Sequence, residues 1–162
     1  RHSVHGPIIS GVLDKDSRCL SLSSKSLQIL KVSDGILKMN KALDYKSFSE
    51  GVSLINAPQL NIMYSDIEGN IGLFITGDVP IRKKGDGQLP IDGSSGDYDW
   101  EGIIPTEEMP RLLNPSKGYI ISCNNKIIDD SYPYFLGNSF MNGFRANRIN
   151  RIFDSFALRS RH

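Results

Sequence analysis

The sequence predicts an α+β fold, and three observations carry that prediction. Short apolar, β-branched runs broken by turn formers occupy the beginning and the middle of the chain. Two stretches with apolar residues at helical spacing lie between them, and a third closes the chain. Strands and helices therefore come in blocks, the pattern of segregated sheets and helices rather than of an alternating βαβ repeat. At 162 residues the chain is long enough to bury a core, and residues 1–162 are read as a single domain.

Taken in order, residues 4–13 and 18–24 are expected to pair as a hairpin across Asp14-Lys15-Asp16-Ser17. Leu27, Leu30, Val32, Ile36, Leu37 and Met39 then recur at helical spacing over 26–40, with Gly35 as a weak point in one unbroken helix. Asp44 is a natural N-cap for a second helix carrying the stripe Tyr45, Phe48, Val52 and Ile55, which Pro58 stops. Residues 60–65 and 71–76 read as a hairpin turning through 66–70, where Gly69 and Asn70 tolerate positive φ. Six of the fifteen glycines and five of the eight prolines fall in 77–117, so a long irregular loop is expected there. A last buried strand is expected over 119–122 and a last helix over 147–158.

Composition narrows the function. Lys and Arg (19) nearly cancel Asp and Glu (18), leaving none of the basic excess that a nucleic-acid surface uses to neutralise phosphates. No apolar run approaches the ~20 residues that a bilayer span requires. The opening Arg1-His2-Ser3 is neither an initiator methionine nor a signal sequence, so the chain is expected to be an internal segment of a longer polypeptide. Cys19 and Cys123 lack metal-type spacing and are read as two buried thiols.

Several residues invite a chemical reading and, on their own, favour a structural one. His5 has no Ser or Cys partner at recognisable spacing and reads as a packed or capping histidine. Asp66, Glu68 and Asn70 alternate like calcium ligands but lack the terminal Glu of that loop, and a hairpin turn accounts for them. Lys83-Lys84-Gly85-Asp86-Gly87 has no Walker spacing and reads as a solvated turn, while Trp100 reads as the anchor of the long loop. Asn124 alone would be a turn former, Asn125 a structural neighbour, and Arg148 alone a solvated helix charge.

An ordered series of short motifs changes that balance. Arg1-His2-Ser3-Val4-His5-Gly6-Pro7-Ile8 is followed by Tyr64-Ser65-Asp66-Ile67-Glu68-Gly69-Asn70-Ile71-Gly72 and Thr76-Gly77-Asp78-Val79-Pro80-Ile81-Arg82. Then come Leu89-Pro90-Ile91-Asp92-Gly93, Tyr98-Asp99-Trp100-Glu101-Gly102-Ile103-Ile104-Pro105 and Asn114-Pro115-Ser116-Lys117-Gly118-Tyr119-Ile120. Asn124-Asn125 and Arg145-Ala146-Asn147-Arg148-Ile149 complete it. Over residues 1 to about 150 this series resembles the middle of the β subunit of penicillin acylases and their relatives, the cephalosporin and acyl-homoserine-lactone acylases.

The resemblance implies a four-layer αββα sandwich and an N-terminal nucleophile hydrolase made as a self-cleaving precursor. It implies a nucleophilic Ser at the start of the β subunit, activated by its own α-amino group, whose unperturbed pKa near ~8 suits a base. That Ser would lie upstream of Arg1, whose guanidinium has no lone pair to offer, so these residues alone would be inert. Asn124 matches the family's oxyanion-stabilising asparagine, and Arg148 the arginine that orients active-site groups, with Arg145 its neighbour under a looser alignment. Partners would be the remaining α and β segments of the same precursor and a small-molecule amide substrate, with neither nucleic acid nor membrane. No cofactor is expected: some family members bind calcium, but residues 85–90 and 132–136 offer no matching ligand set. Relatives are mostly exported, implying a periplasmic or secreted protein. The competing reading is a non-catalytic homologue that keeps the same shell for binding or assembly.

Overall fold

The structure, a computed structural model, describes residues 1–10, 19–28 and 30–159. Among these residues there are three antiparallel sheets, of two, three and two strands, and three α-helices. The mixed class matches the α+β expectation.

The chain opens with a small hairpin, β1 (His2–Ser3) and β2 (Gly6–Pro7). Gly6 has φ +132, and a Cβ there would come 2.1 Å from the Leu22 carbonyl oxygen, so no side chain fits. Beyond it the two N-terminal runs do pair: Ile8 bridges Ser21, and Leu22 N–H donates to Pro7 O at 2.9 Å. The turn expected at 14–17 lies outside the described residues.

Helix α1 is shorter than the periodicity predicts, covering Val32–Asn40 after a separate 3-10 turn at Lys25–Leu27. Gly35, expected to weaken it, is a contact point instead. A Cβ on Gly35 would lie 2.8 Å from Gly51 O, and one on Gly51 would lie 2.7 Å from Met39 N. These two glycines let α1 and α2 (Tyr45–Val52) approach backbone to backbone. Asp44 caps α2 as predicted: its carboxylate accepts from Ser47 N–H at 2.7 Å while Ser47 Oγ accepts from Asp44 N–H. The helix ends before Ile55, earlier than the stripe implies. The carbonyls of Ile55 and Asn56 accept instead from Gly77 N–H (3.0 Å) and Asp78 N–H (2.8 Å), which draws this backbone out of the helix.

Strands β3 (Asn61–Ser65) and β4 (Ile71–Ile75) form the predicted hairpin. Gly69 has φ +87, whereas Asn70 is not left-handed; it works through its side chain, donating from Nδ2 to Asp66 Oδ2 at 2.8 Å. Asp66 also accepts from the N–H groups of Glu68 and Asn70 and from the Tyr64 hydroxyl. Those bonds, with the Asn70 amide first, hold its carboxyl below the ordinary 3.8, while burial and the Asp66 bond push the Tyr64 phenol up to about 12.

The stretch 77–117 is more ordered than its glycines and prolines suggest. It contributes the paired strands β5 (Pro80–Arg82) and β6 (Trp100–Ile103), and β7 (Arg111–Leu113), which adds to β4. Only the excursion between β5 and β6 is irregular, since these glycines and prolines sit mostly at strand ends and turns. His5 pins that excursion, its Nε2 lying 3.0 Å from Gly93 O. In the other direction, the strand expected at 119–122 is not formed: its backbone has no ladder partner among the described residues, and only the Ser122 hydroxyl, 2.6 Å from Asn61 Nδ2, ties it to β3.

Two clusters form the core. Val52, Tyr64 and Phe74, with Tyr45 and Phe48 against them, join the helices to one face of the β3–β4–β7 sheet. Ile75, Ile104 and Met109 form the second, with Tyr134 and Leu136. Helix α3 (Phe144–Arg159) starts three residues before its predicted position, its first turn closed by Asn147 N–H to Gly143 O at 2.8 Å. No helix among the described residues is long and apolar enough to cross a membrane.

Candidate functional site

Asn124 lies on a strap that runs from the end of β7 to the start of α3. Asn114 begins the strap with φ +46 and holds it to β4 through both backbone and side chain: Asn114 N–H donates to Ile71 O (2.8 Å) and Ile71 N–H to Asn114 Oδ1 (2.9 Å). A turn closed by Gly118 N–H to Pro115 O then leads into 119–124. Asn124 itself has φ +60, a left-handed backbone that asparagine tolerates better than most side chains. Its carbonyl accepts from Met141 N–H at 2.8 Å, and Asn125 Oδ1 accepts from Cys123 N–H at 3.1 Å, which closes the turn around it.

The side chain that reaches Asn124 is Arg145, in the first turn of α3. One guanidinium nitrogen, Nη2, donates to the Cys123 carbonyl at 2.6 Å and to Asn124 Oδ1 at 2.9 Å. A guanidinium only donates, so the Asn124 atom facing it must be the oxygen. The carboxamide is thereby oriented, and its Nδ2–H₂ group points away with no acceptor among the described residues. Two N–H bonds beside a permanent cation make this a place where negative charge is stabilised. Arg148, the arginine that the motif alignment favours, is exposed one turn further on with no bond to Asn124. The sequence signal for Arg145 is the helix start: Asn142-Gly143 opens α3 early enough to put residue 145 opposite the 123–124 turn.

The other sequence candidates fall where their bland readings put them, with one exception. His5 packs against Gly93 with Nδ1 3.8 Å from Asp99 Oδ1, far from Asn124 in the bonding pattern. Lys84 pairs with Asp97 on the solvated excursion. Trp100 carries Lys25 and Arg82 near its ring at 5.8 and 5.7 Å. It borders a cavity of about 260 Å³ with Asn56, Asp78 and Phe135, and Asn124 is not part of that wall. The exception is Cys19, which is exposed; Cys123 is buried, and both are free thiols. Asp86 is engaged by Gln88 N–H and Asn138 Nδ2, and no group of three or more His, Cys, Asp or Glu among the described residues would hold a metal.

Against known proteins, a family model described as penicillin amidase matches residues 1–161. The penicillin acylase 2 proenzyme of Pseudomonas sp. (strain SE83) is 32% identical over 146 residues, covering 90% of this chain and 19% of that protein. The acyl-homoserine lactone acylase QuiP of Pseudomonas fluorescens is 31% identical over 148 residues, covering 90% of this chain and 18% of its own. Penicillin G acylase of Escherichia coli is 44% identical over 75 residues, 46% of this chain and 9% of that protein. Among solved structures, a thermostable penicillin G acylase from Alcaligenes faecalis superposes with a TM-score of 0.73 at 25% identity, over 95% of this chain and 28% of that one. The chain thus spans about a fifth of the length of the first two relatives.

Proposed function

Because the chain belongs to the penicillin amidase family, we propose that the protein carrying it hydrolyses a linear amide, with Asn124 as a donor to the oxyanion. The nucleophile in this reading is an N-terminal serine supplied by residues outside this chain, and residues 1–162 alone are inert. The serine Oγ attacks the amide carbonyl carbon while its α-amino group takes the hydroxyl proton. The carbonyl oxygen becomes an oxyanion and accepts from Asn124 Nδ2. Collapse of the tetrahedral species breaks the C–N bond, and the α-ammonium returns the proton to the leaving amine. Water then attacks the acyl-enzyme by the same route and releases the acid.

The observation that supports this reading is the Arg145–Asn124 bond at 2.9 Å. It fixes the amide with its donor outward before substrate arrives, and preorganisation of this kind is what makes an oxyanion donor effective. In the same reading the fold is the four-layer αββα sandwich. These residues supply one sheet and its helices, and the rest of the protein covers the sheet's far face. Met63, Leu73 and Leu112 line up across that face by register, and Met63 and Leu112 are 45% and 42% exposed here.

The test is Asn124→Gly in the intact protein. Glycine suits the φ of +60, so it removes the amide without the backbone strain that alanine would add. The expected loss is about 10²–10³ in kcat on an N-acyl 4-nitroanilide that the wild type turns over, with Tm little changed. Wild-type turnover would remove Asn124 from the mechanism.

A further inference from the structure

We infer that Tyr119 is a positioning residue for Asn124, acting by clamping the strap to α3 at a second point. The inference rests on the oxyanion reading of Asn124 and adds a group five residues away that touches no reacting atom.

The strap is fastened to α3 at two places. At its far end Arg145 holds Cys123 and Asn124. At its near end the Tyr119 hydroxyl lies 2.9 Å from Asp154 Oδ1 and 3.1 Å from Asn150 Oδ1, with Lys117 Nζ 3.4 Å from both the phenol oxygen and Asn150 Oδ1. The phenol has one proton, and the shorter, charged bond to Asp154 takes it. The ring packs on Phe153 with centroids 4.8 Å apart. Asn150, Phe153 and Asp154 stand at i, i+3 and i+4, so they form one face of the helix, and the tyrosine grips that face as a unit.

The geometry explains why two fasteners matter. Residues 119–122 have no ladder hydrogen bonds, so nothing regular holds their backbone in place. Ser122 adds one side-chain bond to Asn61. Arg145 fixes which way the Asn124 amide faces, but it rides on α3, so its aim relative to the sheet depends on where the helix sits along the strap. The Tyr119 clamp sets that position. Releasing it lets α3 slide or tilt against 119–124, and the Asn124 donor moves with it.

The experiment uses the intact protein and the same N-acyl 4-nitroanilide. Tyr119→Phe keeps the ring on Phe153 and deletes only the hydroxyl. It is expected to lower kcat about tenfold, less than loss of the donor itself, with KM and Tm close to wild type. Asp154→Ala, on the exposed side, deletes the same bond from the helix and should reproduce the loss. In the double variant Tyr119→Phe/Asn124→Gly the two losses should not multiply, because a clamp that works through Asn124 has nothing left to aim. Wild-type kcat in Tyr119→Phe beside a crippled Asn124→Gly would overturn the clamp and leave the oxyanion reading standing. Multiplying losses would place the action of Tyr119 elsewhere and also overturn it. Wild-type kcat in Asn124→Gly would sink the oxyanion reading and the clamp together.

Discussion

At the scale of single residues, the two arginines of the Arg145-Ala146-Asn147-Arg148 stretch separate alignment from geometry. Arg145 donates from one nitrogen to two oxygens at the 123–124 turn, and Arg148 is exposed without a bond to it. Arg145→Ala is therefore expected to cost roughly 10²-fold in kcat, by freeing the amide it orients, while Arg148→Ala stays within a factor of about two. Steady-state kinetics of the two variants side by side checks this, and the reverse order would restore Arg148 as the orienting residue. Asn124 was legible from sequence only through the ordered motifs around it, because an Asn in a turn carries no chemical signature of its own. Arg145 was not legible because three residues of helix start decide which arginine faces the turn, and boundaries are the weakest part of any pattern reading. His5 shows the opposite case. Its lack of a nucleophile partner in sequence correctly pointed to packing, and Gly93 is what it packs on.

Among elements, the α1–α2 pair turns on two glycines that periodicity reads as weaknesses. A Cβ at Gly51 would sit 2.7 Å from Met39 N and 2.8 Å from Met39 Cγ, closer than backbone can yield without moving a helix. Gly51→Ala is expected to destabilise the intact protein by about 1–3 kcal/mol despite alanine's better helix propensity, as read by thermal or denaturant unfolding. A gain in stability would show that the helices are not in the contact described. The Asp44 cap and the β3–β4 hairpin were legible because local hydrogen bonds decide them: Asp44 with Ser47, and Asp66 with Asn70. The early end of α2 and the strands β5 to β7 were not. Both depend on partners distant in sequence, Gly77 and Asp78 for the helix end and Ile71–Ile75 for β7, and no local window contains those partners.

For the whole molecule, the β3–β4–β7 sheet has one face under α1 and α2 and another that is covered chiefly near Ile75. Apolar side chains continue across that second face at Met63, Leu73 and Leu112. If a second sheet lies on it, Leu112→Asp should destabilise the intact protein by about 2 kcal/mol or more, because an unpaired carboxylate would be buried. A change under about 0.5 kcal/mol, the usual size at an open surface, would argue against the layered sandwich. The α+β class was visible from the order of the blocks alone, whereas the number of layers depends on chain that these residues do not contain. Across this architecture most polar residues answer to a single demand: Asp44 caps, Asn114 fastens, His5 packs. Residue 124 answers to two, a left-handed backbone and an outward amide donor. Glycine meets the first and forfeits the second; aspartate keeps the shape but sets like charge against the oxyanion; glutamine displaces the donor by a methylene and settles poorly at that φ. Such a position has almost no neutral neighbours in sequence space, so drift that erased the rest of the motif series would still leave an asparagine there.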